Sequence, residues 1–384
     1  MLKRLSACLA LTLLTASISG IAACQQSTEP PPALPSLSTS TDDLTNESTF
    51  EMQLQRLSAA SCQENAKSFP SKPIEINNAV VTPGAPDIVS AALPEGVSLA
   101  GTWSLTSKDP AFGGLSGLDI LPSGDLLAVS DMGAFVTIGL KDNAPAATGT
   151  IAYMLGMDDQ MLSGKAEGDS EGLTLVGEIA FVSFEREHRI LAFDRGLCDA
   201  AARGINVAAL PDQIGETKIA PNRSAEALAY RSDDQTLIVF YEGRARSKII
   251  QGVVDMSGQA DFNADRTGFD GDSPVGLDIA SFADDVQLTA SLYRSYDPFR
   301  GNRNWLDIAF SKGCCDALRS FQINLKRPIL TDNFEGIAGE QLANGDYRIW
   351  IISDDNFSAD QATLLYAFDI AHDTALNIAT STSE

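Results

Sequence analysis

Carboxylates dominate the side chains that could do chemistry. The 384-residue chain has 51 Asp and Glu against 27 Lys and Arg, and two histidines, His188 and His372. Two histidines cannot build a multi-histidine zinc site, so any metal here should be a hard, oxygen-seeking one such as calcium. The acids are placed in phase. Glu171, Glu226 and Glu335 stand in "DSEGLTLVG", "SAEALAYRS" and "NFEGIAGEQ", each followed by Gly or Ala and then by Leu or Ile. The same phrase without its acid occurs in "GLSGLDILP" and "SPVGLDIAS". A second set of acids ends the apolar run that follows, at Asp131, Glu185, Glu242 and Asp354-Asp355, whereas the fourth unit ends in Tyr293-Arg294.

If these positions converge, several like charges share one small space. They must then hold a cation or keep some protons, and calcium, with six to eight oxygen ligands, meets the need. The candidate metal ligands are Asp131, Glu171, Glu226, Glu335, Asp354 and Asp355. Glu171, Glu185 and Glu335 are candidates to orient an attacking water, with His188, in "SFEREHRIL", beside them. Arg186, Arg223, Arg244 and Arg294 could hold an anionic group through forked hydrogen bonds. A serine triad fits poorly: Ser116 lies in "GGLSGL", where Leu118 replaces the last glycine of a nucleophile elbow. The acidic run "NADRTGFDGDSP" fails the EF-hand spacing, because Pro274 stands where the twelfth-position glutamate belongs.

The elements that must position these residues form a repeat. The apolar residue of each phrase falls at Leu118, Leu173, Leu228, Leu277 and Ile337, at intervals of 55, 55, 49 and 60. Each unit holds short β-branched or aromatic runs divided by turn signals, as in "LSGLDIL", "LLAVSD", "AFVTIGL" and "TIAYMLGM". Four strands in ~50 residues describe a propeller blade. The fold class is therefore all-β, a β-propeller of four-stranded antiparallel blades over 73–384. Six blades are expected if "IEINNAVV" and "VSLAGTWSL" supply one, with five as the fallback. A short N-terminal helix over 50–67, within a lead-in of 50–72, precedes the ring.

The first 23 residues read as a secretory signal: Lys3 and Arg4, an apolar run, then small residues. "Ile21-Ala22-Ala23-Cys24" looks like a bacterial lipobox and implies lipid on Cys24. Residues 24–49, rich in Ser, Thr and Pro, then form a disordered tether. The expected place is the cell envelope, on the outer membrane facing the periplasm, with the lipid as the membrane contact. That compartment permits disulfides among Cys62, Cys198, Cys314 and Cys315, in any of three pairings. A net charge of -24 excludes nucleic acid as partner.

The stretches "FGGLSGLDILPSGDLLAVSDMGAF", "GDSEGLTLVGEIAFVSFEREHRILAFD", "NRSAEALAYRSDDQTLIVFYEGR" and "DNFEGIAGEQLANGDYRIWIISDDNFSADQATLLYAFD" resemble the phytase-like domain family, described as having esterase-like activity, from about Trp103 to Ile370. The resemblance implies a β-propeller and calcium-assisted hydrolysis of a small anionic ester, a phosphoester first. One departure bears on phosphate: Met132 follows Asp131, where the family commonly carries arginine. The rival readings are a calcium-dependent lactonase, by analogy of fold, and a binding or scaffold propeller with an envelope protein partner.

Overall fold

The computed structural model describes residues 43–63, 71–162, 164–223, 225–245, 248–267, 273–282, 285–297, 301–312 and 319–375. Each copy of the phrase begins the innermost strand of an antiparallel sheet, and there are five such sheets among the described residues. Blade one comprises Leu115–Ile120, Leu126–Ser130, Ala134–Lys141 and Ala144–Tyr153. Blade two comprises Ser170–Val176, Ile179–Phe184, Arg189–Asp194 and Ile205–Ala209. Blade three runs through Ala225–Arg231, Thr236–Ala245, Lys248–Asp255 and Ala260–Thr267. Blade four runs through Ser273–Ser281, Val286–Asp297, Gly301–Lys312 and Arg319–Leu325.

Blade five corrects the expected count of six to five. It has three strands of its own, Phe334–Gln341, Tyr347–Ser353 and Thr363–Ile370. Its fourth, Val97–Thr106, comes from before blade one and pairs antiparallel with Thr363–Ile370. "VSLAGTWSL" thus completes the last blade instead of founding a new one, which removes two free sheet edges at once. The segment before it straps the same seam from outside. Lys72–Glu75 adds to the outer edge of blade one, Asn77–Val80 adds to the outer edge of blade five, and Ile76 is buried between them.

The second strands are buried along their whole length in "LLAVS", "IAFVSF" and "YRIWIIS". Both faces of these strands pack against neighbouring blades, so they read as continuous apolar runs without alternation. Five apolar clusters result, one between each pair of blades. The seam between blades five and one is filled by Trp103 and Trp350, ring centroids 6.0 Å apart. Truncating a buried tryptophan of this kind costs about 3–5 kcal/mol.

The N-terminal helix spans Asp43–Ser61, so residues 43–49, expected in the tether, are helical. Phe50, Leu54 and Leu57 recur at helical spacing and pack on the cluster between blades two and three, with Phe50 stacked on Tyr230. Its C-terminal end is fastened to blade two. Ser61 Oγ donates to the Arg203 carbonyl at 2.8 Å and accepts the Asp194 N–H at 3.0 Å. Cys62 is disulfide-bonded to Cys198, which settles one of the open pairings, while Cys314 and Cys315 lie outside the described residues.

The disulfide closes a span of 136 residues, and a cross-link of that length is worth about 2–5 kcal/mol. Replacing both cysteines by serine should lower the denaturant midpoint accordingly. It should also make the helix the first target of limited proteolysis. An unchanged midpoint with a protected helix would mean that Phe50, Leu54 and Leu57 hold it alone.

Candidate functional site

The glutamates owe their direction to a shared irregularity. In all five blades the pairing of first and second strands breaks at the repeated phrase: between Leu115 and Leu118, Ser170 and Leu173, Ala225 and Ala227, Pro274 and Gly276, and Phe334 and Gly336. The break opens with Ser116, Glu171, Glu226, Val275 or Glu335, and in blades one and two it also takes in the following Gly117 or Gly172. A bulge leaves its extra residue out of the ladder and re-aims the side chain. The glycine that follows answers a second demand. A Cβ on Gly336 would lie 2.2 Å from the Ser116 carbonyl, and one on Gly117 would lie 2.5 Å from the Leu173 nitrogen, each in the next blade's inner strand.

Glu226 and Glu335 line a narrow axial cavity closed by Leu118, Leu173, Leu228, Leu277 and Ile337, one from each blade. The glutamates therefore stand on an apolar floor, at the mouth where each inner strand begins. The ends of the second strands form a rim around the same mouth. Asp131, Glu185 and Asp354 donate their backbone N–H groups to the carbonyls of Gly114, Asp169 and Asn333 at 3.0, 2.9 and 2.9 Å, a contact repeated in three blades. Glu242 occupies this place in blade three and Arg294 in blade four, paired opposite Ser273.

Arg294 makes the fourth blade the counterion of the others. It donates to Glu335 Oε1, to Glu242 Oε1 at 3.0 Å and to Asn333 Oδ1 at 2.6 Å. Asn333 Nδ2 in turn reaches Glu335 Oε1 at 2.9 Å and Asp354 Oδ2 at 3.2 Å. On the opposite side, Asp169, Glu171 and Glu185 each offer an oxygen within 4.8 Å of the others. Lys165 Nζ stands 3.2 Å from Asp131 Oδ2 and 3.5 Å from Asp169 Oδ1, and Arg186 Nε lies 2.8 Å from Asp169 Oδ2.

The electrostatics follow from burial and crowding. Burial pushes Glu171 well above the usual carboxylate range, and Glu335 and Glu185 add repulsion. Burial raises Glu226 in the same way, with Glu171 and Glu242 next. Burial lifts Asp354 to about 8, helped by Glu335. Glu335 is raised by burial against the opposing pull of Arg294. For Arg294 burial works downward, but Glu335, Glu226 and Glu242 outweigh it and hold the guanidinium above its ordinary value.

The structure brings Asp131, Glu171, Glu185, Glu226, Glu335 and Asp354 to one mouth together with Arg186 and Arg294. Asp355 is there as a staple: Oδ1 accepts the N–H groups of Gly114 and Phe357 at 2.9 and 3.0 Å, and Oδ2 accepts the Thr363 hydroxyl at 3.0 Å. His188 lies in the blade-two turn that follows Glu185, its Nε2 3.2 Å from the Pro221 carbonyl. Arg223 is exposed on the loop leading to blade three, and the side chains of Arg244 and Cys24 lie outside the described residues. His372 stacks on Tyr347 and contacts the Gly345 carbonyl, at the end opposite Ser116, so the two cannot form a triad. Asp169, Asn333 and Lys165 escaped the reading of the sequence. Asp169 and Asn333 each precede a repeat glutamate by two residues, a signal that was available; Lys165 comes from the short interblade helix Gly164–Glu167 and carries none.

An acid raised on folding binds its proton more tightly in the folded state. The metal-free protein should therefore lose stability as the pH climbs from ~4, the ordinary carboxylate value, to about 8, where Asp354 ionises. In chelator, the melting temperature is expected to fall from pH 5 to pH 8. A flat profile would show that the carboxylates do not crowd one another.

No curated protein matches the sequence. Among solved structures, the chain is similar to the PQQ-bound aldose sugar dehydrogenase of Streptomyces coelicolor, at 15% identity and TM-score 0.38, covering 72% of this chain and 99% of that one. It is also similar to the calcium structure of the Trichoderma reesei carbohydrate-active enzyme of family AA12, at 9% identity and TM-score 0.36, covering 81% and 100%. Likeness this remote carries no functional argument. Residues 110–259, all of blades one and two and most of blade three, match the model of the Phytase-like family, described as esterase-like activity of phytase.

Proposed function

We propose that the protein is a calcium-assisted ester hydrolase working at the acidic mouth of the propeller. The observation that carries this reading is the close carboxylate cluster of blade two at the mouth. Asp169, Glu171 and Glu185 each offer an oxygen within 4.8 Å of the others, and burial with the charges of Glu335 and Glu185 holds Glu171 well above the usual carboxylate range. Asp131 Oδ1 is buried with no hydrogen-bond partner, and Asp169 Oδ1 has the Lys165 ammonium at 3.5 Å. An all-oxygen donor set suits calcium. Asp169, Glu171 and Glu185 would hold the ion, with Asp131 at the edge.

When bound, calcium supplies a Lewis acid that polarises the ester and relieves the carboxylate repulsion. The chain's own part is to position water and move a proton. Arg294 and Asn333 pin Glu335 through Oε1, leaving Oε2 to accept a proton from the attacking water. The water oxygen bonds to the ester carbon or phosphorus, the bond to the leaving alkoxide breaks, and the proton held on Glu335 passes to that alkoxide. The apolar floor beneath keeps bulk water from entering along the axis.

Calorimetric titration of the mature chain with calcium should show saturable binding that Glu171→Gln abolishes. Glu335→Gln should keep the fold and calcium affinity but lower ester turnover by about 100-fold or more. Full activity in Glu335→Gln removes that residue from the reaction. Unaltered calcium binding in Glu171→Gln would leave the acids as turn residues and favour a scaffold role.

The lipobox-like ending before Cys24 supports an envelope-anchored enzyme held at the membrane by its lipid. Expressed in a bacterial host, the wild type should take up labelled fatty acid and Cys24→Ala should not. Equal labelling of the two would defeat the anchor.

A further inference from the structure

The calcium site leaves one cation of the mouth without a part, Lys165. It is the basic residue of the short helix Gly164–Glu167 between blades one and two. The backbone around it is pinned to blade one. A Cβ on Gly133 would lie 2.2 Å from the Leu162 carbonyl and 3.2 Å from Gly168 Cα, so the turn after Asp131 touches the chain on both sides of the helix. The Gly168 N–H closes the helix on the Gly164 carbonyl at 3.0 Å, and Arg189 donates to the Glu167 carbonyl at 2.8 Å. Ser170 Oγ then donates to the Ser130 carbonyl at 2.7 Å. These bonds fix the helix, whereas the Lys165 side chain itself is 61% exposed.

The ammonium stands between acids of two blades. Nζ lies 3.2 Å from Asp131 Oδ2, at the rim of blade one, and 3.5 Å from Asp169 Oδ1, two residues before Glu171 of blade two. The two oxygens of Asp169 are not equivalent. Oδ2 accepts from Arg186 Nε at 2.8 Å, a full hydrogen bond. Oδ1 is buried without a hydrogen-bond partner and faces the ammonium at a distance beyond a strong bond. The oxygen that Asp169 can offer to an ion beside Glu171 and Glu185 is therefore Oδ1, on the side of Lys165. Calcium draws its oxygens to about 2.3–2.6 Å, and an ammonium resting on the same oxygen would repel it.

We propose that Lys165 is a tethered counterion of the calcium site: it neutralises Asp131 and Asp169 in the metal-free protein, turns away when the ion enters, and so sets the affinity for calcium. This rests on the calcium-assisted reading and adds the regulation of its metal. The exchange asks for no movement of the backbone. An exposed side chain on a fixed helix rotates its charged head into water while its stem stays where it is. Arg186 keeps Asp169 in place during the exchange, because it holds the other oxygen.

Calorimetric titration with calcium compares the mature wild type with Lys165→Met, Lys165→Arg and Lys141→Met. Lys165→Met removes the charge and keeps an unbranched stem. It should bind calcium about tenfold more tightly, the scale of one solvent-screened charge beside a divalent ion. Lys165→Arg restores the charge and should return the affinity close to the wild-type value. Lys141 ends the strand Ala134–Lys141, away from the mouth, so Lys141→Met changes the net charge equally and should leave calcium binding as it was. In about 1 M potassium chloride the gap between wild type and Lys165→Met should narrow, because salt screens an exposed ammonium. A gap that salt leaves intact would trace to packing and overturn the proposal. Equal or weaker binding in Lys165→Met, or equally tight binding in Lys165→Arg and Lys165→Met, would also overturn it and leave the calcium site standing, with Lys165 as a clamp between blades one and two. Calcium binding by Lys165→Met alone upholds the counterion and removes calcium from the native protein's reaction. No calcium binding by any of the four ends both readings.

Discussion

Everything at the mouth depends on how closely five inner strands approach one axis. Around that axis the backbone of one blade touches the backbone of the next, and a side chain at the central position of the phrase meets a neighbouring carbonyl, as at Gly336 against Ser116. The chain answers with glycine in four blades and alanine in blade three. The ladder cannot continue regularly through such a contact, and it bulges there in every blade. The bulge turns the preceding residue toward the channel, and the next residue falls back into the core as the apolar floor. Glycine, glutamate and leucine are three consequences of one steric constraint.

That geometry creates an electrostatic problem, which the fold only partly solves. Glutamates from three blades face one another across a low-dielectric mouth and are ringed by further acids. Blade four departs from the pattern at both positions, with Val275 in the bulge and Arg294 on the rim, and so contributes a cation where its siblings contribute acids. Lys165 and Arg186 give partial relief near blades one and two. Burial and Glu335 push Asp354 up in turn, so its carboxyl holds a proton more readily than an exposed one. Carboxylates outnumber cations around the whole mouth, with Lys165 and Arg186 at blades one and two and Arg294 between blades three and five.

The outer parts of the molecule serve to keep this ring shut. Strand Val97–Thr106 completes blade five, and the strands flanking Ile76 cross the same seam outside it. The helix Asp43–Ser61 covers the cluster between blades two and three and is bonded to blade two through Cys62 and Cys198. A ring loses its function if one seam opens, because the mouth is built from all five blades. Reinforcement at the closure follows from that.

The sequence alone determined the class of fold, the phase of the repeat and most of the acids at the mouth. These are local properties: strand length, turn residues and a phrase recurring at intervals of 49 to 60 residues. It left the blade count open, because closure pairs Val97 with Ile370 and no local pattern reports a partner so far along the chain. It read Arg294 as a ligand for substrate, whereas in the folded ring it is held by the chain's own Glu335, Glu242 and Asn333, contributed by two other blades. Asp169 and Asn333 carried a readable signal, a fixed offset from the glutamates. Lys165 and Phe357 carried none, since connections between strands place them and the paths of connections depend on what the neighbouring blades present. Period and composition are written along the chain; which charges meet, which are cancelled and which remain for a ligand was decided only when five separate turns were brought around one axis.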